Sequence, residues 1–112
     1  MGTELLDMIV RTLREDDHCV FQAYDGLAAL ERCLNLRRID LLITNTSMPG
    51  LNGPDLIRQV RAKLPTLAIL YVKDLGSPDD VPGGLPPDVP TLGEPFTPDQ
   101  LRAAVQPLLV RD

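Results

Sequence analysis

Apolar residues fall into two alternating patterns along the chain. Leu6, Ile9, Val10 and Leu13 recur at helical spacing behind Thr3, a candidate N-cap, and predict a first helix from about Glu4 to Glu15. Cys19 to Ala23 (CVFQA) is a short run rich in strand formers and bounded by polar residues, which predicts a strand. Asp25 can cap a second helix through Leu27, Leu30 and Leu34, ending near Asn35. The stretch from Asp40 to Gly53 (DLLITNTSMPGLNG) then carries the wholly apolar Leu41, Leu42 and Ile43 into a turn with Pro49, Gly50 and Gly53. Pro54 opens a helix whose Leu56, Ile57, Val60 and Leu64 form a stripe against Arg58, Arg61 and Lys63, and Pro65 ends it. This central stretch reads as strand, tight loop and helix.

Ala68 to Val72 (AILYV) predicts a second strand buried on both faces. Pro78, Pro82, Pro86, Pro87 and Pro90, with Gly83 and Gly84, then forbid a helix of normal length. At most one helical turn is expected near Ser77 to Val81, within a rigid, partly extended connection. Thr91 to Gly93 is a weak last strand. Thr97, Pro98, Asp99 and Gln100 form a capping box with proline at the first helical position, and Leu101, Ala104, Val105 and Leu108 give that helix its buried face. Pro107 is expected to kink or end it. Alternating strands and helices imply a parallel sheet covered on both faces.

Composition narrows the class. The 112 residues allow one domain, and 44% hydrophobic content is that of an ordinary globule. No apolar run approaches the ~20 residues of a membrane span, and no secretory signal opens the chain, so a cytoplasmic location is expected. A formal charge of -5 argues against nucleic-acid binding, which calls for a basic patch. Cys19 and Cys33 lack metal-ligand spacing and read as reduced core residues, His18 as a surface or boundary residue, and Glu15, Asp16 and Asp17 as solvated turn residues.

The wording of the central stretch is more specific. An acidic residue, an aliphatic run, then Asn45 three before Met48-Pro49-Gly50 and eight before Gly53 resembles the phosphorylation loop of bacterial response-regulator receiver domains. DGLAAL from Asp25, ILYV from Ile69 and EPFTPDQL from Glu94 extend the resemblance from Glu4 to about Leu109, and the closing pattern is most similar to receivers of hybrid histidine kinases. The resemblance implies a flavodoxin-like (CheY-like) three-layer α/β/α fold, with five parallel strands in the order 2-1-3-4-5 and a site at their carboxyl ends. It also implies that this chain begins at the family's first helix, without the first strand and its acidic pair. A boundary inside the domain and a gene that starts here both stay open as explanations. Three repairs of the sheet are conceivable: the neighbouring strands close the gap, another segment fills it, or two chains associate as a homodimer. Direct closure into four strands is expected, with a shortened or missing fourth helix.

The resemblance places changed residues at every site position present. The phosphoacceptor aspartate is replaced by Asn45, the hydroxyl residue after the fourth strand by Lys73, the aromatic switch residue by Thr91 and the lysine before the Pro-Phe corner by Glu94. An amide lacks the anionic oxygen that a phosphoryl acceptor needs at neutral pH. Asp16 and Asp17 are expected at the opposite edge of the sheet, and Asp7 reaches only the rim, so neither magnesium nor another cofactor is expected. Lys73 and Glu94 follow neighbouring strands, and either pair across the vacated pocket or are solvated. The implied function is a non-catalytic, phosphorylation-independent pseudo-receiver that binds a histidine kinase or output protein in two-component signalling. The competing reading is a phospho-switch using Asp74. A small enzyme has no glycine-rich phosphate loop, triad or metal cluster behind it.

Overall fold

The computed structural model describes residues 3–23, 25–45, 50–73 and 84–109. The described residues form four helices, α1 (Thr3–Glu15), α2 (Gly26–Asn35), α3 (Gly53–Lys63) and α4 (Pro98–Leu109), and three strands, β1 (Leu41–Asn45), β2 (Ala68–Lys73) and β3 (Thr91–Gly93), in the order α1-α2-β1-α3-β2-β3-α4. The strands form one parallel sheet in the order β1-β2-β3. Leu41 to Asn45 pair with Ala68 to Val72, and Tyr71 to Lys73 pair with Thr91 to Gly93.

Strand alternation divides the core into two faces. Ile69, Tyr71 and Leu42 join Ala29 and Cys33 of α2 and Leu56, Ile57 and Val60 of α3 on one side. Leu70 joins Ile9 and Leu13 of α1 and Leu101 and Val105 of α4 on the other, with Leu41 and Ile43 packed against them. The result is the expected three-layer α/β arrangement.

Helix ends follow local chemistry. Residues Asp17 and His18 close α1 in a Schellman motif: the Asp17 amide donates to the Arg14 carbonyl and the His18 amide to that of Leu13. Asp17 takes the left-handed conformation that this requires (φ 67°), which aspartate tolerates better than most residues. The Asp25 carboxylate accepts from the Ala28 amide at 2.7 Å and starts α2. Asn52, passed over in the sequence, caps α3 by accepting from the Asp55 amide at 2.9 Å, so Pro54 stands second in the helix rather than first. Thr97 and Gln100 cap α4 reciprocally, at 2.8 and 3.1 Å. Pro107 lies inside α4, which ends two residues later at Leu109.

Three expectations need correction. The sheet has three strands, not four, because residues 19–23 join no ladder. Val20 packs with the α1 and α4 face and Ala23 with the α2 and α3 face, as alternate residues of an extended segment do. A cavity of about 610 Å³ lies between this segment and β1, so the two do not pair. Second, Cys19 is exposed and only Cys33 is buried. Third, Glu15 and Asp16 are not merely solvated: Arg102 of α4 reaches both, at 3.3 and 3.0 Å, and ties the end of α1 to α4. Asp16 is the main cause holding the Arg102 guanidinium more firmly protonated than usual.

The proposed helical turn at Ser77 to Val81 lies outside the described residues. From residue 84 to 90 the chain is irregular, with the Val89 amide turned back onto the Pro86 carbonyl. Arg61 of α3 holds this connection. Its guanidinium donates to both Asp88 carboxylate oxygens, at 3.1 and 2.6 Å, and to the Leu67 carbonyl at 2.8 Å.

Candidate functional site

The site is assembled at the carboxyl ends of the three strands. Asn45 ends β1 and pairs in register with Val72, the residue before Lys73 at the end of β2. Glu94 directly follows β3, and its amide donates to the Lys73 carbonyl at 3.0 Å. Parallel pairing therefore brings together the three residues singled out in the sequence. Asn45 is 1% exposed, whereas Lys73 and Glu94 are half-buried. The Glu94–Pro95 peptide is cis.

Two glycines draw the helices onto this edge. A Cβ on Gly53, the first residue of α3, would lie 1.7 Å from the Asn45 carbonyl oxygen. A Cβ on Gly26, the first residue of α2, would lie 1.8 Å from the Leu51 carbonyl oxygen. Each helix can start so close only because no side chain stands there. Gly50 beside them has a positive φ of 81° and faces Leu27 of α2. The sequence contained both helix-opening glycines, but the carbonyls they approach are set by tertiary packing.

Thr91 lies apart from this group. It is exposed at the start of β3, opposite Tyr71, whose amide donates to the Pro90 carbonyl at 3.0 Å. Asp16, just past the end of α1, pairs with Arg102 of α4 at 3.0 Å. Asp74 lies outside the described residues.

A divalent metal does not fit the donors here. Magnesium needs several oxygen ligands around one point, and the strand ends supply a carboxamide, a carboxylate and an ammonium. Among the described residues no group of three or more His, Cys, Asp or Glu could hold a metal ion. Asp25 faces the same rim, but its carboxylate is engaged as the α2 cap. No described helix is long and apolar enough to cross a membrane.

Parallel strands covered by helices on both faces, with polar residues gathered at the strands' carboxyl ends, define the doubly wound α/β class. Residues 3–106 match the response regulator receiver domain family, and the chain belongs to that family. It is 30% identical over 103 residues to the sensor kinase CckA of Brucella abortus (strain 2308), a match covering 89% of this chain and 11% of the kinase. The chain thus spans about a tenth of that relative's length. Among solved structures, a response regulator receiver protein from Sinorhizobium medicae WSM419 superposes with a TM-score of 0.84 at 27% identity, over 97% of this chain and 87% of that one. A putative response regulator from Chloroflexus aurantiacus J-10-fl gives 0.79 at 27% identity, over 96% and 90%. The fold is a receiver fold without an acidic phosphorylation cluster among the described residues.

Proposed function

We propose that this chain is a phosphorylation-independent pseudo-receiver, a non-catalytic module that binds protein partners in two-component signalling. The observation that carries the reading is the buried Asn45 carboxamide at the end of β1, the position where the family resemblance puts its acceptor aspartate. A carboxamide there has no anionic oxygen to attack phosphorus and no second charge to share with a metal. Lys73 and Glu94 are the degenerate hydroxyl and lysine positions of the same site, and Thr91, apart from it at the start of β3, is the degenerate aromatic switch position. With a cation and an anion on adjacent strand ends, the site balances its own charge and has no need of an incoming phosphate and metal. The partner is a histidine kinase or an output protein. Likeness to a sensor kinase supports a hybrid-kinase ancestry for the module.

The test is a nitrogen-proton correlation spectrum of the full chain before and after adding magnesium and beryllofluoride, a mimic of the receiver phosphoryl group. The expected result is no localised shift at Asn45, Lys73 or Glu94. Saturable shifts at these residues would overturn the proposal. A mass gain on Asp74 with acetyl phosphate would replace it with the phospho-switch reading.

A further inference from the structure

Three large apolar side chains stand exposed among the described residues, and two of them share one flank of α2. The third, Phe21, lies under the Arg32 guanidinium, 5.4 Å from its ring centroid. Leu27 and Leu34 are 57% and 43% exposed. Seven positions apart, with the half-buried Leu30 between them, they form a row about 10 Å long at 1.5 Å per residue. The row lies on the α3 side of α2, since a Cβ on Gly50, in the loop that enters α3, would stand 3.5 Å from the Leu27 side chain. Helix α3 packs alongside α2 and supplies the other bank. Its Arg58 and Arg61 turn away to Gly84 and Asp88, so helical geometry leaves Gln59 and Lys63, both exposed, on the α2 side. The two helices together make a shallow apolar groove with a cationic end. There Lys63 and Arg37, just past the end of α2, are exposed and make no ion pair among the described residues, on a chain whose overall charge is -5.

We propose that this groove receives one amphipathic helix of a partner protein, with a leucine stripe and acidic residues in its first turn. A helix seated in a groove is held by anchors three, four and seven positions apart, and the row on α2 presents apolar side chains at that spacing. Charge sets the direction. Both cations sit at the carboxyl ends of α2 and α3, so a helix laid antiparallel to the two brings its amino end there. Acidic residues at that end are favoured by the helix's own dipole and meet Lys63 and Arg37. Such exposed pairs confer selectivity and salt dependence more than affinity. A second copy of this chain is a poor occupant, because α2 has no acidic residue in its first turn and Asp55 in that of α3 is already paired with Arg58 at 2.6 Å. Two exposed leucines and their half-buried neighbours also offer far less than the ~800 Å² per partner of a stable dimer, so the complex is a transient one.

The inference rests on the reading of the chain as a partner-binding module, and the two fail separately: the phosphoryl mimic reads the strand ends, whereas a peptide here reads α2. The probe is a synthetic sixteen-residue peptide with three glutamates in its first turn and leucines at every third and fourth position thereafter, titrated into the nitrogen-labelled full chain. Its control carries lysines in place of the glutamates. The expected result is saturable shifts at Leu27, Leu30, Leu34, Gln59 and Lys63, with binding weakened about tenfold by the lysine exchange and weakened again by added salt. Leu27→Gln combined with Leu34→Gln should abolish the shifts at Gln59 and Lys63; both leucines are exposed, and the rest of the spectrum reports whether the fold is kept. No saturation, saturable shifts centred elsewhere, or equal binding of both peptides would each overturn the proposal. Concentration-dependent shifts along the same row without peptide would overturn it in favour of a second copy. The two peptides are compared on the unaltered protein, so the test survives a variant that does not fold.

Discussion

Gly53→Ala is the sharpest test of how the site is built. In a free helix the change is favourable, by up to ~1 kcal/mol. In this protein the added methyl carbon would sit 1.7 Å from the Asn45 carbonyl oxygen, where ordinary contact begins near 3.4 Å. The obstacle is backbone at the end of a buried strand, so it cannot rotate away as a side chain could. Either α3 retreats by more than an ångström, loosening Leu56, Ile57 and Val60, which are all 0% exposed, or β1 is displaced at Asn45. Overpacking of this kind costs about 1–3 kcal/mol, and with a rigid obstacle the upper end is expected. That is a large share of the ~5–15 kcal/mol that holds an average domain. Urea unfolding followed by circular dichroism should give a midpoint lowered in proportion, with an unchanged slope. Gly93→Ala is the internal control, since nothing lies within 4 Å of its added carbon; it should change stability by less than about 0.5 kcal/mol. A Gly53→Ala protein as stable as the parent would refute the argument that α3 is seated by close approach to Asn45.

Arg61 and Asp88 should couple in a double-mutant cycle by no more than about 1 kcal/mol, because the carboxylate is largely exposed. Arg61 holds that carboxyl below its usual value, so the coupling is present above about pH 4 and should fade as the pH falls through the folded-state value; coupling that grows in acid would contradict it. Thr97→Ala removes one half of the α4 capping box and should cost about 1 kcal/mol in the same unfolding assay, whereas no loss would mean the cap is idle. In the native protein a thiol reagent should label Cys19 at once and Cys33 only after denaturant is added. Burial raises the Cys33 pKa above 9.0, so its contribution is intact below that pH and is lost as pH rises through the folded-state value; Cys33→Ala should lack this alkaline component.

Much of this protein is determined by the sequence alone. Helical spacing in Leu6, Ile9, Val10 and Leu13, the capping residues Asp25 and Thr97, and the aliphatic runs at Leu41 and Ala68 place α1, α2, α4, β1 and β2 within a residue or two. Those signals are local, since a cap or an amphipathic stripe is fixed by residues a few positions apart. The gathering of Asn45, Lys73 and Glu94 was also legible, because each ends or follows a strand and parallel pairing aligns those ends. Tertiary structure decided what depends on distant partners. Residues 19–23 have strand-forming composition, yet they remain outside the ladder because a cavity separates them from β1. Cys19 resembles a core residue in sequence and is exposed. Arg102 finds Glu15 and Asp16, and Gly53 finds the Asn45 carbonyl, only once chain segments far apart in sequence are packed together.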